Sequence, residues 1–380
     1  MSRADVLVIG GGLHGCSAAL HLARRGAAVT VIEKDHVGRH ASGVNAGGVR
    51  RLGRHFAEVP LAVAAMELWH RIGELVDDDC GFESHGQVKV AENEAEMEAL
   101  AARVAALRVQ GFTHEEVLDR AALREAVPAL APHCVGGIIA RADGAALPFR
   151  TTLAFRRKAE ALGVRFREGV RVREVRRKNG DWKAAAENGE KFAAKVVVNA
   201  AGAWGGAIAA VLGEPVPLEP RALMLMISER VERFLDPVVG AAGRPLSFKQ
   251  YENGTVLIGG GYQGRAFPEE NRTVLDFAGL AKSAATVAEL FPLMRGAAIV
   301  RAWAGIEGFL PDEIPVIGPS MKAEGVFHSF GFCGHGFQLG PLVGAITAEL
   351  VTTGRTNLPI GPFSIRRFAG AAGTGGVPAH

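Results

Sequence analysis

The chain has 380 residues, of which 48% are hydrophobic and 22% charged, a composition typical of a globular protein in water. This length is too great for one simple core, so we predict two interleaved domains. The formal net charge is only +3. The basic stretches at residues 156–158 and 165–178 are typical of solvated helix and strand faces, which argues against a nucleic-acid partner.

The four cysteines are scattered and include no C-x-x-C pair. A disulfide framework is therefore not expected, and a reducing compartment such as the cytoplasm is favoured. No apolar run reaches about 18 residues, so no membrane-spanning helix is predicted. No basic segment precedes the first apolar run, which predicts no signal peptide. Peripheral contact with a membrane stays open, and we find no spacing that predicts a metal site or a catalytic triad.

A strand, a turn and a helix open the chain. Val6–Ile9 is a short, β-branched apolar run and predicts a buried strand. Apolar residues then recur at helical spacing until Gly26, which ends the helix. Val29–Ile32 predicts a second buried strand. The order strand, helix, strand is the context in which a glycine-rich nucleotide-binding turn is meaningful.

Three glycines between the first strand and the helix, Gly10, Gly12 and Gly15, have the G-x-G-x-x-G spacing. The first allows a tight turn, the second lets a pyrophosphate approach, and the third lets helix and strand pack closely. The helix N-terminus adds free N–H groups and partial positive charge. Glu33 ends the second strand and can accept hydrogen bonds from ribose hydroxyls. This stretch predicts a site for FAD or NAD rather than NADP.

Residues 34–51 are rich in small side chains, which permit close approach to a cofactor; a flexible surface loop is the alternative. Helices are predicted over residues 60–79, 92–110, 113–130 and 150–162. Strands are predicted over residues 82–91, 136–140, 164–168 and 170–176, with a hairpin turn at Asn179-Gly180. Residues 195–204 predict another buried strand that runs into a small-residue turn and a helix. That strand would complete the nucleotide site.

The pattern changes at residue 215. Strands over residues 221–228, 247–251 and 256–260, followed by a helix over 275–290, predict an antiparallel sheet inserted into the first domain. A last strand over 326–330 precedes a glycine turn and a helix that runs through residue 350. We predict a nucleotide-binding domain from residues 1–80, 145–214 and 305–368, and a substrate domain from residues 81–144 and 215–304. Residues 369–380 are predicted to be a disordered tail.

Four separated segments together resemble the D-amino-acid oxidase family of FAD-dependent amine oxidoreductases. They are residues 5–33, Ser42-Gly-Val-Asn-Ala-Gly-Gly48, the strand-turn around Asn199-Ala-Ala-Gly202-Ala-Trp204, and Pro311 to Gly318 with Gly334-His335-Gly336-Phe337-Gln338. The likeness covers residues 4 to about 367. It is strongest to the bacterial branch of D-amino-acid dehydrogenases, glycine and sarcosine oxidases, and opine and hydroxyproline dehydrogenase subunits.

The resemblance implies an α/β (α+β) fold, in which a Rossmann-like FAD-binding domain is interleaved with an antiparallel-sheet substrate domain, as in glutathione-reductase-like folds. It implies that the flavin ring lies between residues 42–48 and 334–338, with the last helix directed at flavin O2. FAD is expected to be non-covalent, because residues 305–310 lack the cysteine that sarcosine oxidases use. The implied cofactor-binding residues are Gly10, Gly12, Leu13, His14, Gly15, Glu33, Lys34, Ser42, Asn45, Ala46, Gly47, Gly48, Val172, Ala200, Ala201, Gly202, Trp204, Gly305, Gly334, His335, Gly336, Phe337 and Gln338.

The implied reaction moves hydride from a C–H next to an amine nitrogen to FAD, and the imine then hydrolyses. The substrate is expected to be a small amine, amino acid or imino acid. Glu307 and Gln338 stand where relatives carry cations that hold a carboxylate. Glu307 therefore suggests a second cationic group on the substrate, as in an opine-like or diamine-derived amine. The predicted catalytic residues are His335, Tyr251, Gln250, Glu307 and Arg50, with Arg51 or Lys249 as alternative carboxylate ligands.

Two other interpretations stay open. The chain could be the FAD-binding component of a multi-subunit opine- or hydroxyproline-type dehydrogenase, inactive alone. The first stretch alone also fits an NAD-dependent Rossmann dehydrogenase, in which the Gly334-to-Gln338 segment has no role. The electron acceptor could be oxygen, a quinone or a partner subunit, and the protein could act in the cytoplasm or at a membrane surface.

Overall fold

The computed structural model describes residues 2–369, so the predicted tail, apart from Ala369, lies outside the described residues. The strands are β1 (Ser2–Arg3), β2 (Val6–Ile9), β3 (Val29–Ile32), β4 (Gly48–Val49), β5 (Gln87–Ala91), β6 (Glu116–Leu118), β7 (Gly136–Ala140), β8 (Gly144–Ala145), β9 (Arg165–Arg167), β10 (Val172–Lys178), β11 (Asp181–Ala186), β12 (Lys191–Ala194), β13 (Val196–Asn199), β14 (Glu219–Arg230), β15 (Val238–Ala241), β16 (Ser247–Gln250), β17 (Thr255–Gly259), β18 (Gln263–Phe267), β19 (Arg272–Val274), β20 (Ile299–Phe309), β21 (Val316–Pro319) and β22 (Val326–Phe330). The helices are α1 (Leu13–Arg24), α2 (Ala41–Val44), α3 (Val59–His70), α4 (Ile72–Val76), α5 (Glu94–Val109), α6 (Arg120–Ala126), α7 (Pro148–Ala161), α8 (Gly205–Val211), α9 (Phe277–Leu290) and α10 (Gly336–Thr353).

The first large sheet contains the two strands that open the chain. Its order is β21-β22-β13-β2-β3-β9, and all neighbours are parallel except the edge strand β21. The residues of β2 and β3 are buried throughout, as expected for strands covered on both faces. Because parallel strands end at one edge, the loops after β2, β3 and β13 meet there, which is where open α/β sheets bind ligands.

The second large sheet has the order β19-β18-β14-β17-β16-β15-β5-β7-β6, and β20 also pairs with β14. Most of its pairs are antiparallel, as predicted, but β15 and β5 are parallel. These two strands come from distant parts of the chain, so no hairpin fixes their relative direction. A smaller four-stranded sheet, β1-β12-β11-β10, contains the predicted hairpin at residues 179–180.

Helix α10 is held tightly against α1, and this contact brings the two ends of the chain together. A Cβ on Gly344 would lie 2.1 Å from Ser17 Oγ, and one on Gly340 would lie 2.5 Å from Leu13 Cδ2. Ser17 Oγ also donates to Pro341 O at 3.2 Å. The two glycines therefore permit a close approach that places the start of α10 beside the start of α1.

The predicted mixed α/β architecture is present, with differences in detail. The predicted helix over residues 113–130 is wrong in part, because residues 116–118 form β6 on an edge of β7 and α6 covers only 120–126. Strands β18, β19 and the start of β14 were not predicted. The domain boundaries stay a prediction, and β20 runs across the one at residue 304.

No helix among residues 2–369 combines the length and apolar character needed to cross a membrane. Within the same residues, no group of three or more His, Cys, Asp or Glu side chains is arranged to hold a metal ion.

Candidate functional site

A cavity of about 1420 Å³ is lined by residues from both large sheets. Cavities that hold one small molecule typically measure about 300–1000 Å³, so this volume suits a dinucleotide and a smaller second molecule. The cavity is lined by every predicted site residue except Gly15, Gln338, Gln250 and Tyr251.

The glycine turn between β2 and α1 is shaped by close contacts. Gly10 has φ +111°, and a Cβ there would lie 2.3 Å from Ala200 O. A Cβ on Gly15 would lie 1.9 Å from Gly10 O, so this residue faces the strand rather than the cavity. A Cβ on Gly12 would lie 2.8 Å from Ser42 Oγ. The turn therefore presents backbone to the cavity, as an approaching pyrophosphate requires.

Glu33 is fixed at the end of β3. Its Oε2 accepts the Gly11 N–H at 2.7 Å and its Oε1 accepts the Asp35 N–H at 2.9 Å. Burial raises the pKa of Glu33, and these two bonds oppose that shift. Each carboxylate oxygen keeps a second lone pair that can accept a hydroxyl from the cavity.

Lys34, predicted as a cofactor ligand, is engaged with the protein. Its ammonium lies 3.7 Å from the centre of the Trp204 ring and donates to Asn271 Oδ1 in the turn between β18 and β19. Burial lowers its pKa to about 8. Lys34 thus lines the cavity while joining the first sheet's loop to the second sheet.

The small-residue segment after β3 is more ordered than its composition suggested. It contains α2 and the two-residue strand β4, which pairs with β8. Asn45 folds back on the segment, since its Nδ2 donates to Ala41 O and its Oδ1 accepts the Gly47 N–H, both at 2.7 Å. Gly48 faces open space, with nothing within 4 Å of an added Cβ.

His335 lies at the start of α10, after Gly334, which has φ +81°. Its Nδ1 lies 2.9 Å from Glu58 Oε2. Burial lowers the pKa of His335, so the ring is neutral and Nδ1–H donates to the carboxylate. Burial alone would raise the pKa of Glu58, but the bond from His335 and the charge of Arg54 lower it. This fixed tautomer leaves Nε2 as an acceptor.

Gln338 anchors α10 to α3 and does not line the cavity. Its Nε2 donates to Ala62 O at 2.8 Å, and its backbone carbonyl accepts the Trp69 Nε1–H at 2.7 Å. Its role in this structure is to hold the first turn of α10 in place.

Gln250 and Tyr251 are not brought to the cavity. The Gln250 carboxamide is buried on the core side of the second sheet, where Nε2 donates to Glu232 O at 3.0 Å and Oε1 accepts the Phe234 N–H at 2.9 Å. Side chains alternate along a strand, so Ser247, three residues earlier on β16, takes the opposite face and lines the cavity. Tyr251 follows the strand end, and burial raises its pKa to about 12.

Three cations line one part of the cavity, and two of them were not identified from sequence. They are Arg50, predicted as a carboxylate ligand, with Arg54 and Lys89. Among the described residues none of the three has a carboxylate within 4.0 Å. Arg54 is 1% exposed, its Nη1 has no partner there, and burial together with Arg50 lowers its pKa to about 9. A buried cation that lacks a carboxylate partner, as Arg54 does among residues 2–369, favours an anionic ligand.

Of the alternative carboxylate ligands, Arg51 is occupied, and Lys249 lies behind the cavity wall with its Nζ 3.1 Å from the position of an added Gly47 Cβ. Arg51 Nε donates to the buried Asp143 at 2.8 Å, and Lys249 lies against the Tyr251 ring, 4.7 Å from its centre. Neither lines the cavity. The sequence position of Arg54 could have indicated a role in the site, because Arg54 follows the predicted cofactor segment by only a few residues.

The residues present fit a bound flavin dinucleotide. Gly48 and Gly202 both face open space where a Cβ would have no neighbour within 4 Å. His14 lines the cavity, stacks on Phe332 with ring centres 3.7 Å apart, and has both ring nitrogens buried without a partner in the described part of the chain. Burial lowers its pKa to about 3, so it offers a neutral ring to a ligand.

Comparison with known proteins agrees with this geometry. Residues 5–350 match the family model described as DAO, FAD dependent oxidoreductase. The chain belongs to this family, and the protein is an FAD-dependent oxidoreductase. The family membership excludes the NAD-dependent dehydrogenase as an alternative and confirms FAD as the cofactor.

Two curated relatives span nearly the same length as this chain, and both are components of larger enzymes by name. The hydrogen cyanide synthase component HcnC of Pseudomonas aeruginosa is 27% identical, covering 96% of each chain. A subunit of the opine oxidase of Rhizobium meliloti is also 27% identical, covering 97% of this chain and 98% of the relative.

Two solved structures confirm the fold. Glycine oxidase from Geobacillus kaustophilus superposes with a TM-score of 0.89 and 25% identity, covering 97% of this chain and 99% of the other. L-Proline dehydrogenase from P. horikoshii gives a TM-score of 0.89 and 27% identity, covering 97% and 98%.

Proposed function

We propose that the protein oxidises the C–N bond of a small amine, with amino and imino acids as the preferred class. The observation that carries this proposal is a set of three cations, Arg50, Arg54 and Lys89, that have no carboxylate partner in the described part of the chain and lie in the same cavity as the glycine turn. A carboxylate beside the amine would satisfy them. Relatives named for glycine and L-proline support the same class.

FAD, when bound, supplies the hydride acceptor. The protein's part is to bind and orient the substrate in a site shielded from water. Arg54 would hold a substrate carboxylate, and His335 Nε2, fixed by the bond from Nδ1 to Glu58, would accept a hydrogen bond from the amine. The first N–H groups of α10 favour negative charge at the adjacent end of a ligand. The imine released would hydrolyse in water.

We propose that FAD is held without a covalent bond. Residues 305–310 contain no cysteine. Cys333, which contacts Leu310 at the end of this segment, is buried, and burial raises its pKa to about 12. Its sulfur accepts the Leu310 N–H at 3.2 Å. A thiol in this state is a poor nucleophile. Release of all flavin on denaturation would support this assignment.

The test is anaerobic reduction of the purified flavoprotein with a panel of D- and L-amino acids, imino acids and opines. We expect at least one of them to bleach the absorption of the oxidised flavin, and its carboxamide analogue to do so more slowly. Bleaching by dithionite with no bleaching by any amine would overturn the proposal.

A second candidate function is that of the FAD-binding component in a larger dehydrogenase. It is favoured by the two curated relatives, which are named as subunits and are covered at 96% and 98% of their length. The purified chain would then be reduced by substrate but would turn over slowly with oxygen or a soluble quinone. Full turnover by the chain alone would exclude this role.

A further inference from the structure

Glu307 is a carboxyl group on β20 that lines the cavity beside the start of α10. Its Oε1 accepts the Gly334 N–H at 2.7 Å. Its other oxygen has no hydrogen-bond partner among residues 2–369. Arg221, its register partner on β14, also lines the cavity but is paired with Glu219 at 2.7 Å. The free oxygen of Glu307 is therefore available to a ligand.

The groups near Glu307 do not neutralise it. His335, next to Gly334, is neutral and is bonded to Glu58 at 2.9 Å. The Cys333 thiol is buried and protonated, since burial raises its pKa to about 12. In the described residues, no cation lies within 4.0 Å of the Glu307 carboxyl. A cationic amine bound in the cavity could therefore pair with this carboxyl.

Resting on the proposed oxidation of an amine, we propose that Glu307 binds the substrate's amine nitrogen and accepts its proton, so that the amine is oxidised in its neutral form. In this step one N–H bond breaks and one O–H bond forms at Glu307, and no electrons are transferred. The nitrogen lone pair that is freed can then assist departure of hydride from the adjacent carbon to FAD. Water hydrolyses the resulting iminium.

The acidity of Glu307 suits this step. Burial raises its pKa from the ordinary value of 4.5 to about 7, closer to that of an amine. Proton transfer from a substrate ammonium to Glu307 is therefore less unfavourable than transfer to an ordinary carboxylate, and burial disfavours the charged pair more than the neutral one. A carboxyl group of ordinary acidity would be a weaker acceptor.

The position of Glu307 relative to Arg54 suits an amino acid with its two charged ends. Glu307 accepts a bond from the Gly334 N–H, and Arg54 Nη2 donates to Gln338 Oε1 at 3.4 Å in the first turn of α10, which begins two residues after Gly334. Within residues 2–369, this region thus carries a carboxylate with one free oxygen and a guanidinium that has no carboxylate partner. An amino acid bound with its carboxylate at Arg54 would present its nitrogen toward Glu307.

The test is stopped-flow reduction of the flavin under anaerobic conditions from pH 6 to pH 10, comparing wild type with Glu307→Gln. Glutamine keeps an acceptor for the Gly334 N–H and removes the titrating group. In the wild type the rate should rise with pH through about 7, where Glu307 loses its proton. In the variant the rate should be lowered about tenfold or more at pH 7 and should rise only as free substrate loses its own proton.

Glu98→Gln is the matched control, because Glu98 is exposed on α5 and does not line the cavity. It should keep the wild-type pH profile. The proposal would be overturned if Glu307→Gln had the wild-type dependence of the reduction rate on pH. It would also be overturned if the variant had a normal flavin spectrum but a slow reduction rate that high pH did not restore. If Glu307→Gln does not retain FAD, Glu307→Asp takes its place. The aspartate variant should still show a rate of flavin reduction that rises with pH, with its midpoint displaced from the wild-type value, and a rate independent of pH would overturn the proposal. Absence of reduction in the wild type would instead contradict the proposed function.

Discussion

Asn271 Nδ2 donates a hydrogen bond to Asp35 Oδ2 at 2.6 Å, across 236 positions of the sequence. Asn271 Oδ1 accepts from Lys34 and lies 2.5 Å from His40 Nε2. Glu269 in the same turn lines the cavity, as Lys34 and His40 do. The turn between β18 and β19 therefore fastens the second sheet onto the loop after β3, at the rim of the FAD cavity.

We expect Asn271→Gly to release FAD faster than the wild type. Glycine can adopt the left-handed backbone conformation of Asn271, φ +55°, but it lacks the side chain that contacts Lys34, Asp35 and His40. The combined loss of these contacts, about 2 kcal/mol, corresponds to about 30-fold in the dissociation rate. The increase of flavin fluorescence after dilution measures that rate. Asn179→Gly, in an exposed turn with the same φ, is the control and should leave it unchanged. Equal rates in both variants would contradict this role for the turn.

The parts of the site that follow from local sequence were predictable. The glycines after β2 and the acid after β3 are set by short-range spacing, and the geometry at Gly10 and Gly15 agrees with the roles expected from it. Such motifs depend on one strand, one turn and one helix, so their contacts are encoded within about 30 residues.

Two kinds of feature were not predictable: which face of a strand a side chain takes, and which residues far apart in the sequence contact each other. A shift of one residue along a strand exchanges its faces, and the sequence did not show that Gln250 points to the core and Ser247 to the cavity. Arg54 was missed because arginine is expected at the surface, whereas here it is buried. Asn271 was missed because its partners lie in another sheet.

Arg54→Met should weaken the reaction with carboxylate substrates. The substitution keeps a long side chain but removes the charge-assisted hydrogen bonds, each typically worth about 1.5–3 kcal/mol. We expect kcat/KM to fall about 100-fold for an amino acid and less for its carboxamide. Steady-state or stopped-flow kinetics with both substrates measures the difference. Arg141→Met, at an exposed ion pair with Glu116, serves as the control. Equal losses for acid and amide would show that Arg54 does not bind the carboxylate.

Stability should fall as the pH drops below about 6.5. His14 and His21 are neutral, because the burial of their ring nitrogens lowers their pKa values from 6.5 to about 3 and about 4. Below pH 6.5 the unfolded chain takes up protons that the folded chain does not, so the stability present above this pH is lost. Each histidine should lower the free energy of unfolding by about 2 kcal/mol at pH 5. Urea unfolding at pH 7.5 and pH 5 tests this. His21→Leu should reduce the difference, and an unchanged difference would contradict the argument.

Gly15→Ala should damage the dinucleotide site without any change in charge. The new Cβ would lie 1.9 Å from Gly10 O, and backbone at this turn cannot move without separating α1 from β2. We expect a loss of about 1–3 kcal/mol in stability and a weaker affinity for FAD. The matched control is Gly73→Ala in α4, where an added Cβ meets nothing within 4 Å. That change should stabilise the protein by about 0.5–1 kcal/mol, because alanine is the better helix former. Flavin titration of the apoprotein and urea unfolding measure both effects. If Gly15→Ala binds FAD as tightly as Gly73→Ala, the close contact between β2 and α1 is not required for the cofactor site.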